Sequence, residues 1–130
     1  MNEEKLNKLP SDVKKQFLKL ALKLSEKKTK TKVHDDFLTF VKHVWPEFIE
    51  GAHHKEIAEK FNQIAQGKIK RLIINMPPRH TKSEFASFLL PAWMVGRKPD
   101  LKIIQTTHTT ELAIRFGRKA KTLMDDPIYK

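Results

Sequence analysis

Two consecutive prolines, Pro77 and Pro78, constrain the fold of this 130-residue chain more than any other feature. Proline has no backbone N–H and a fixed φ, so neither a central strand nor a helix can pass through this point. The run Leu72-Ile73-Ile74 before the prolines is uniformly apolar, which is typical of a strand buried on both faces. From Lys82 onwards the apolar residues recur at helical spacing. The chain is therefore expected to run from a strand, through a loop at 76–81, into a helix.

The rest of the sequence predicts further helices and a second strand. Apolar residues at helical spacing indicate helices at about 11–24, 37–44, 52–66 and 110–126. Gly67 stands where a left-handed residue ends the third of these, and Pro91 is expected to kink or break the helix that starts at Lys82. Residues 101–107 predict the second strand, and the polar, aperiodic segment 27–32 is interpreted as a linker. Strand, helix and strand in this order imply parallel pairing with a right-handed crossover.

Charge favours a polyanionic partner. The chain carries 26 basic and 15 acidic side chains, a net charge of +11. Residues 1–32 hold ten lysines against four acidic residues, although a solvated helix face or a floppy tail would have the same composition. The absence of cysteine excludes disulfides and thiolate metal sites. No apolar run is long enough to span a bilayer and no secretory signal is recognised, so no membrane partner is expected.

The loop and the residues after it have the arrangement of a phosphate-binding site. Backbone N–H groups of the loop and of the helix N-terminus would face phosphate oxygens. The Lys82 ammonium would reach the β- and γ-phosphates, and the Ser83 hydroxyl would ligate Mg²⁺. Only this Lys-Ser pair matches the pattern G-x-x-x-x-G-K-[ST], because Met76 and Thr81 occupy the glycine positions. By spacing alone, an incidental Lys-Ser after a proline-containing turn is the open alternative.

The segment from Ile69 to Glu84 resembles the variant Walker A segment of the large terminases of tailed bacteriophages, which commonly reads Pro-Pro-Arg-His-Gly-Lys-Ser-Glu. Further blocks resemble the family pattern in the same order: His53-His54, Pro91-Ala92-Trp93, Gly96-Arg97, Pro99-Asp100, Leu112-Ala113 and Phe116-Gly117-Arg118. The resemblance covers roughly residues 34–130. It implies an α/β fold, a P-loop NTPase-type parallel sheet with flanking helices, here truncated. Residues 1–33 would form a basic α-helical extension and linker, and 34–130 the amino-terminal portion of the ATPase domain.

The resemblance also implies a function, that of an ATP-driven motor that moves double-stranded DNA into a procapsid. Arg79 and Lys82 would be the catalytic residues, and Ser83 would hold Mg²⁺ through ATP. The nucleotide-binding residues would be Arg79, His80, Thr81, Lys82, Ser83, Glu84 and His54, with the neighbourhood of Trp45 and His53-His54 bordering the adenine. The implied partners are a portal protein, a small terminase subunit and further copies in a homo-oligomeric ring. The implied location is the host cytoplasm, with transient docking on the procapsid.

One departure from the family concerns Thr81, which stands where the family usually has glycine. Glycine tolerates unusual φ and ψ and lets the backbone approach phosphate closely, whereas a β-branched residue is sterically restricted. Either the loop has an ordinary conformation at this position, or phosphate affinity is reduced. We hypothesise weakened but surviving nucleotide binding.

Other elements of such a motor are expected beyond residue 130. The Walker B strand and an endonuclease with an acidic two-metal site belong there, because Leu123-Met124-Asp125-Asp126 is only a superficial candidate for Walker B. Two function classes compete with the motor. A non-catalytic basic nucleic-acid-binding module would account for the charge but not for the loop. A docking adaptor that binds a partner through the first helix is the other.

Overall fold

The computed structural model describes residues 10–129, apart from the side chain of Ser11. Its regular elements are helices: α1 (Ser11–Asp35), α2 (Phe37–Val44), α3 (Ala52–Ala65), a π-helical segment (Glu84–Leu89), α4 (Leu90–Arg97) and α5 (Thr110–Asp125). The chain divides into two units, Met1–Lys32 and Val33–Lys130. None of the helices between residues 10 and 129 combines the length and the hydropathy needed to cross a membrane.

The expected α/β fold with a P-loop NTPase-type parallel sheet is wrong, because no strand occurs among residues 10–129. The apolar runs at 72–74 and 101–107 have no ladder of backbone hydrogen bonds. They are not buried on both faces either, since Ile73 is 87% exposed and Ile104 is 92% exposed. A strand needs a partner elsewhere in the chain to satisfy its N–H and C=O groups, and an apolar run does not supply one.

Helix α1 continues through the segment expected to be a linker. The Thr29 and Thr31 hydroxyls donate to the carbonyls of Ser25 and Lys27, each at 3.0 Å. Because these bonds join residues four apart, they satisfy polar side chains within a helix, and lysine is itself a good helix former. Segment 27–32 is therefore helical, although it lacks apolar periodicity.

The hydrophobic core of the unit Val33–Lys130 is built around the fully buried ring of Phe37. This ring meets Phe61, Phe85 and Trp93 edge-on, at centroid distances of 5.0, 5.4 and 5.4 Å. The other buried members are Phe40, Val41, Ala58, Leu89 and Ala92. Edge-to-face pairs add roughly 0.5–1.5 kcal/mol each beyond the area they bury. A residue of α2 thus joins α3, the π-helical segment and α4 in one core.

A polar network fixes the start of α2 against α3. Asp36 caps α2, because its carboxylate accepts from the Thr39 N–H at 2.7 Å and from the Thr39 hydroxyl at 2.6 Å. Asn62 of α3 donates to the same carboxylate at 2.7 Å and accepts from the Phe37 N–H at 2.9 Å. Burial opposes ionisation of Asp36, but the hydrogen bonds from Thr39 and Asn62 outweigh it and hold the pKa below 3.8.

The helical stretch that begins at Lys82 changes its hydrogen-bond pattern just before Pro91. The Leu90 N–H bonds to the Phe85 carbonyl five residues earlier, which is the spacing of a π-helix. Pro91 follows at the second residue of α4, and because it has no N–H it donates no hydrogen bond within this continuous helical stretch. Sequence analysis expected Pro91 to kink or break this helix, and the structure accommodates it by a change of register.

The carboxy-terminal turn packs onto the core through Tyr129. Its hydroxyl donates to the Ala92 carbonyl at 2.7 Å, and its ring lies edge-on to Phe40 at 6.1 Å. This approach needs glycine at position 96, since a Cβ atom there would lie 2.5 Å from the Tyr129 hydroxyl oxygen. Gly96 therefore serves the packing of the last turn.

We predict that Asp36→Ala destabilises the protein by about 1–2 kcal/mol at pH 7, because it removes a helix cap and leaves Asn62 without its acceptor. Chemical denaturation measures this change. The stabilisation by ionised Asp36 is present above pH 3.8 and is lost as the pH falls through the lower pKa of the folded state, so the difference between the two proteins should shrink there. Asp35→Ala is the matched control, because the exposed Asp35 carboxylate pairs with His34 and, among the described residues, with no other side chain. An equal loss in both variants contradicts the prediction.

Candidate phosphate-binding site

The loop before Lys82 has an unusual backbone. Arg79 has φ 67° and Thr81 has φ 59°, and they are the non-glycine residues with positive φ between residues 10 and 129. This left-handed conformation costs roughly 1–2 kcal/mol for a residue with a Cβ atom. It is rarer still for a β-branched residue such as threonine. Of the two alternatives for Thr81, an ordinary backbone conformation is therefore wrong: the position has the conformation that glycine would adopt.

The loop leads into a helix start whose amides are free. The first bond of the helix runs from the Phe85 N–H to the Thr81 carbonyl, at 2.9 Å. The N–H groups of residues 82–84 donate to no backbone acceptor in the described part of the chain. Such groups, together with the positive end of the helix dipole, make a helix N-terminus attractive to anions.

The polar side chains around this helix start are exposed and unengaged. Arg79, Lys82 and Ser83 form no hydrogen bond or salt bridge with any residue between 10 and 129. His80 is exposed and its Nδ1 atom lies 2.9 Å from the Pro78 carbonyl oxygen, so its tautomer with a proton on Nδ1 donates there. The cationic Arg79 and Lys82 and the Ser83 hydroxyl are thus close in sequence to backbone N–H groups that lack acceptors in the described part of the chain.

His54 of α3 contacts this loop through the side chain of Thr81. It is 6% exposed, and its Nε2 atom lies 2.7 Å from the Thr81 hydroxyl oxygen. Its Nδ1 atom accepts from the Gly51 N–H at 2.9 Å. Because Nδ1 is an acceptor, the proton of the neutral ring is on Nε2, so His54 donates to Thr81. The Thr81 hydroxyl in turn donates to the His80 carbonyl at 2.6 Å.

Aromatic and imidazole rings enclose His54. Its ring centroid is 4.8 Å from that of Phe48 and 5.1 Å from that of Phe85. The centroid of the His53 ring lies 3.8 Å from that of His54, and His53 approaches His80 edge-on at 5.8 Å. Burial, and then the neighbouring His53, disfavour the charged ring and lower the pKa of His54 below 6.5. The ring of His54, which is expected among the nucleotide-binding residues, is buried and contacts the loop through the Thr81 hydroxyl.

Glu84, expected among the nucleotide-binding residues, is engaged with α5. Its two carboxylate oxygens each lie 2.8 Å from the Lys119 ammonium, which also lies 5.3 Å from the centre of the Phe88 ring. This pairing joins the π-helical segment to the last helix. The Walker B candidate 123–126 is not a strand, because α5 continues to Asp125 and the Asp126 carboxylate accepts from the Ile128 N–H.

A groove of about 930 Å³ runs along α5. Its polar wall contains Arg115 and Arg118, which are exposed, together with Glu111 and Asp126 of opposite charge. Basic and acidic side chains thus both line this groove, so its charge is mixed. No group of three or more metal-ligating side chains occurs among residues 10–129, so the six histidines form no metal cluster there.

The contacts that shape the loop have no signal in the sequence. His54 and Thr81 are 27 residues apart, and no spacing rule links a helix residue to a loop residue at that separation. The left-handed conformation of Arg79 also has no sequence signal, because arginine has no preference for it. The glycine position occupied by Thr81 was the one available hint of positive φ.

Comparison with known proteins gives no further assignment. No protein-family model, curated protein or solved structure matches this chain significantly. The geometry of the loop and the sequence resemblance are therefore the basis for a functional proposal.

Acidification provides a test of the buried state of His54. Because its pKa is lowered in the folded protein, its neutral form contributes stability that is complete above pH 6.5. That stability is lost as the pH falls below 6.5 towards the folded pKa, since the unfolded chain takes up the proton first. We expect the free energy of unfolding to fall less steeply with acidification in His54→Gln. His108→Gln, which alters an exposed histidine without a hydrogen bond to another described residue, should follow the wild type; equal pH profiles for all three proteins contradict the expectation.

Proposed function

We propose that loop residues 77–83 bind the triphosphate of Mg-ATP and that the chain is the nucleotide-binding part of a viral DNA-packaging motor. The observation that carries the proposal is the pair of left-handed residues, Arg79 and Thr81, directly before a helix start. Its amides, the Lys82 ammonium and the Ser83 hydroxyl have no partner among residues 10–129. Strained backbone at non-glycine residues is concentrated at functional sites. Here the two strained residues directly precede exposed groups that attract anions.

Each group has a role in the proposed complex. The Lys82 ammonium neutralises the β- and γ-phosphates, and the free amides of residues 82–84 donate to phosphate oxygens. The Ser83 hydroxyl ligates Mg²⁺, and Arg79 contacts the γ-phosphate. His80 adds a donor at the edge of the loop. The phosphate charge would compensate the cations, which explains why they are left unpaired in this part of the chain.

Binding of an anion at this loop does not require a β-sheet. In this chain the loop is supported by helices: Phe85 anchors the helix after it in the core, and His54 of α3 bonds to Thr81. An anion-binding helix start depends on free N–H groups and their orientation, whichever element precedes it. The resemblance of the segment 69–84 to the terminase Walker A segment supports ATP as the proposed anion.

Magnesium-dependent ATP binding, measured by calorimetry, is the direct test. We expect Lys82→Ala to weaken binding at least about tenfold, because a charge-assisted hydrogen bond contributes roughly 1.5–3 kcal/mol. Lys102→Ala is the matched control, since Lys102 is an exposed lysine without a hydrogen bond or salt bridge to another described residue. The proposal fails if the folded wild type does not bind, or if the two variants bind equally.

A second candidate function, binding of nucleic acid by a basic module, is favoured by α1. The described part of this helix carries eight lysines, all exposed or half-buried, against Asp12, Glu26 and Asp35. Lysines on a helix attract the phosphate backbone without reading sequence. In a packaging motor the two functions coexist, because double-stranded DNA is the cargo. In a DNA-binding module without a nucleotide site, the affinity for DNA would not change when ATP is added.

The salt dependence of DNA binding tests this candidate. Lys19, Lys23 and Lys27 are spaced four residues apart and therefore lie along one exposed face of α1. Their joint change to glutamine should reduce the slope of log K against log salt by about 0.9 for each DNA phosphate that the protein no longer neutralises. The corresponding change of the exposed Lys68, Lys98 and Lys102 is the charge-matched control. Equal slopes for the two triple variants would show that α1 contributes only net charge.

The wider role follows from the resemblance alone and is part of the proposal. The motor would be a homo-oligomeric ring that docks on the procapsid through a portal protein in the host cytoplasm, with a small terminase subunit as a further partner. ATP hydrolysis would drive the DNA, and an endonuclease of the same protein would cut concatemers.

A further inference from the structure

The contact between His54 and Thr81 joins the most buried polar side chain of the described residues to a strained residue of the loop. His54 is held on both ring nitrogens, by the Gly51 N–H on one side and by the Thr81 hydroxyl on the other. Thr81 is likewise fixed, since its hydroxyl accepts from His54 and donates to the His80 carbonyl. The network has a single consistent arrangement of protons.

This arrangement of protons excludes a role for His54 as a general base that would deprotonate the Thr81 hydroxyl. A general base would need an unprotonated Nε2 towards the Thr81 hydroxyl. Here Nδ1 accepts from a backbone amide, so the neutral ring carries its proton on Nε2 and has no lone pair for the hydroxyl proton. A protonated ring would instead direct its Nδ1 proton at the Gly51 N–H. His54 is therefore not a base for Thr81.

We propose that His54 is a positioning residue of the phosphate-binding loop, which holds Thr81 in the left-handed conformation by donating from Nε2 to its hydroxyl. The inference rests on the proposed function of the loop. Glycine adopts this conformation without support, whereas threonine needs an interaction that is lost when φ becomes negative. The hydrogen bond from a rigid, buried ring supplies that interaction.

The positioning acts through the core. His54 contacts Phe85, the residue whose N–H donates to the Thr81 carbonyl in the first bond of the helix. Side chain and backbone of Thr81 are thus attached to α3 and to the helix at the same time. Without the hydrogen bond from His54, residue 81 would relax and the amides of residues 82–84 would turn away from a common phosphate.

The test uses substitutions at Thr81 that leave the core intact. Thr81→Val keeps the shape and removes the hydroxyl, whereas Thr81→Ser keeps the hydroxyl and Thr81→Gly removes the need for support. Two quantities are measured on the whole chain: Mg-ATP affinity, and the intraresidue amide–Hα nuclear Overhauser effect of residue 81. That effect is strong at positive φ, because the two protons are then close together.

We expect Thr81→Val to weaken the Overhauser effect and to lower ATP affinity about tenfold, equivalent to about 1.4 kcal/mol. Thr81→Ser should match the wild type, and Thr81→Gly should bind at least as well. His54→Leu should lower affinity with threonine at position 81 but change it less than about twofold with glycine there, as coupled residues do. His54→Gln, which retains a donor, should restore part of the affinity.

Two results overturn the inference. One is a strong Overhauser effect in Thr81→Val, which would mean that the left-handed conformation does not depend on the hydroxyl. The other is an equal loss of affinity from His54→Leu in the wild type and in the Thr81→Gly variant, which would make His54 a packing residue only. If the wild type fails to bind ATP, the proposed function fails, and the Overhauser comparison still decides the role of His54.

Discussion

The packing of Phe37 against three aromatic rings is the interaction on which the larger unit depends. Phe37 lies at the start of α2, yet it contacts Phe61 of α3 and Phe85 and Trp93 of the helical stretch after the loop. Its own backbone is fixed by Asn62, so the centre of the core cannot shift without breaking a polar network. The contact between Phe37 and Phe85 thereby fixes the start of the helix after the loop against the core.

The candidate site combines this rigid support with a strained and electropositive surface. One turn after Thr81 the chain is buried at Phe85, while Lys82 and Ser83 remain exposed. A loop that is held from inside keeps its amides oriented without a ligand, so little conformational entropy is lost on binding. The proposed phosphate binding would require such preorganisation, and the elements that support this loop are helices. A nucleotide-binding role for the loop is a proposal that the strain, the free amides and the resemblance support together.

Local patterns predicted the helices well and the strands wrongly, for a common reason. Apolar residues at helical spacing describe a structure whose hydrogen bonds are internal, so α2, α3 and α5 were confirmed close to their expected bounds. The strands expected at 72–74 and 101–107 would each need a neighbouring strand elsewhere in the chain, which a local run of apolar residues does not specify. No strand pairing forms among the described residues. The expected linker at 27–32 was wrong in the opposite direction: this segment is helical without an apolar stripe of its own, and the Thr29 and Thr31 hydroxyls bond within the helix.

By itself the sequence determined what short-range chemistry decides. Gly67 is left-handed at φ 75° as expected, α2 ends before Pro46, and Pro77 and Pro78 interrupt regular structure ahead of a helix that begins at Lys82. Only the tertiary structure decided which distant groups meet. Asp36 bonds to Asn62, 26 residues away, and His54 bonds to Thr81, 27 residues away. The backbone conformation of the loop belongs to this second class, since a threonine at positive φ is stable only where the folded chain brings it a partner.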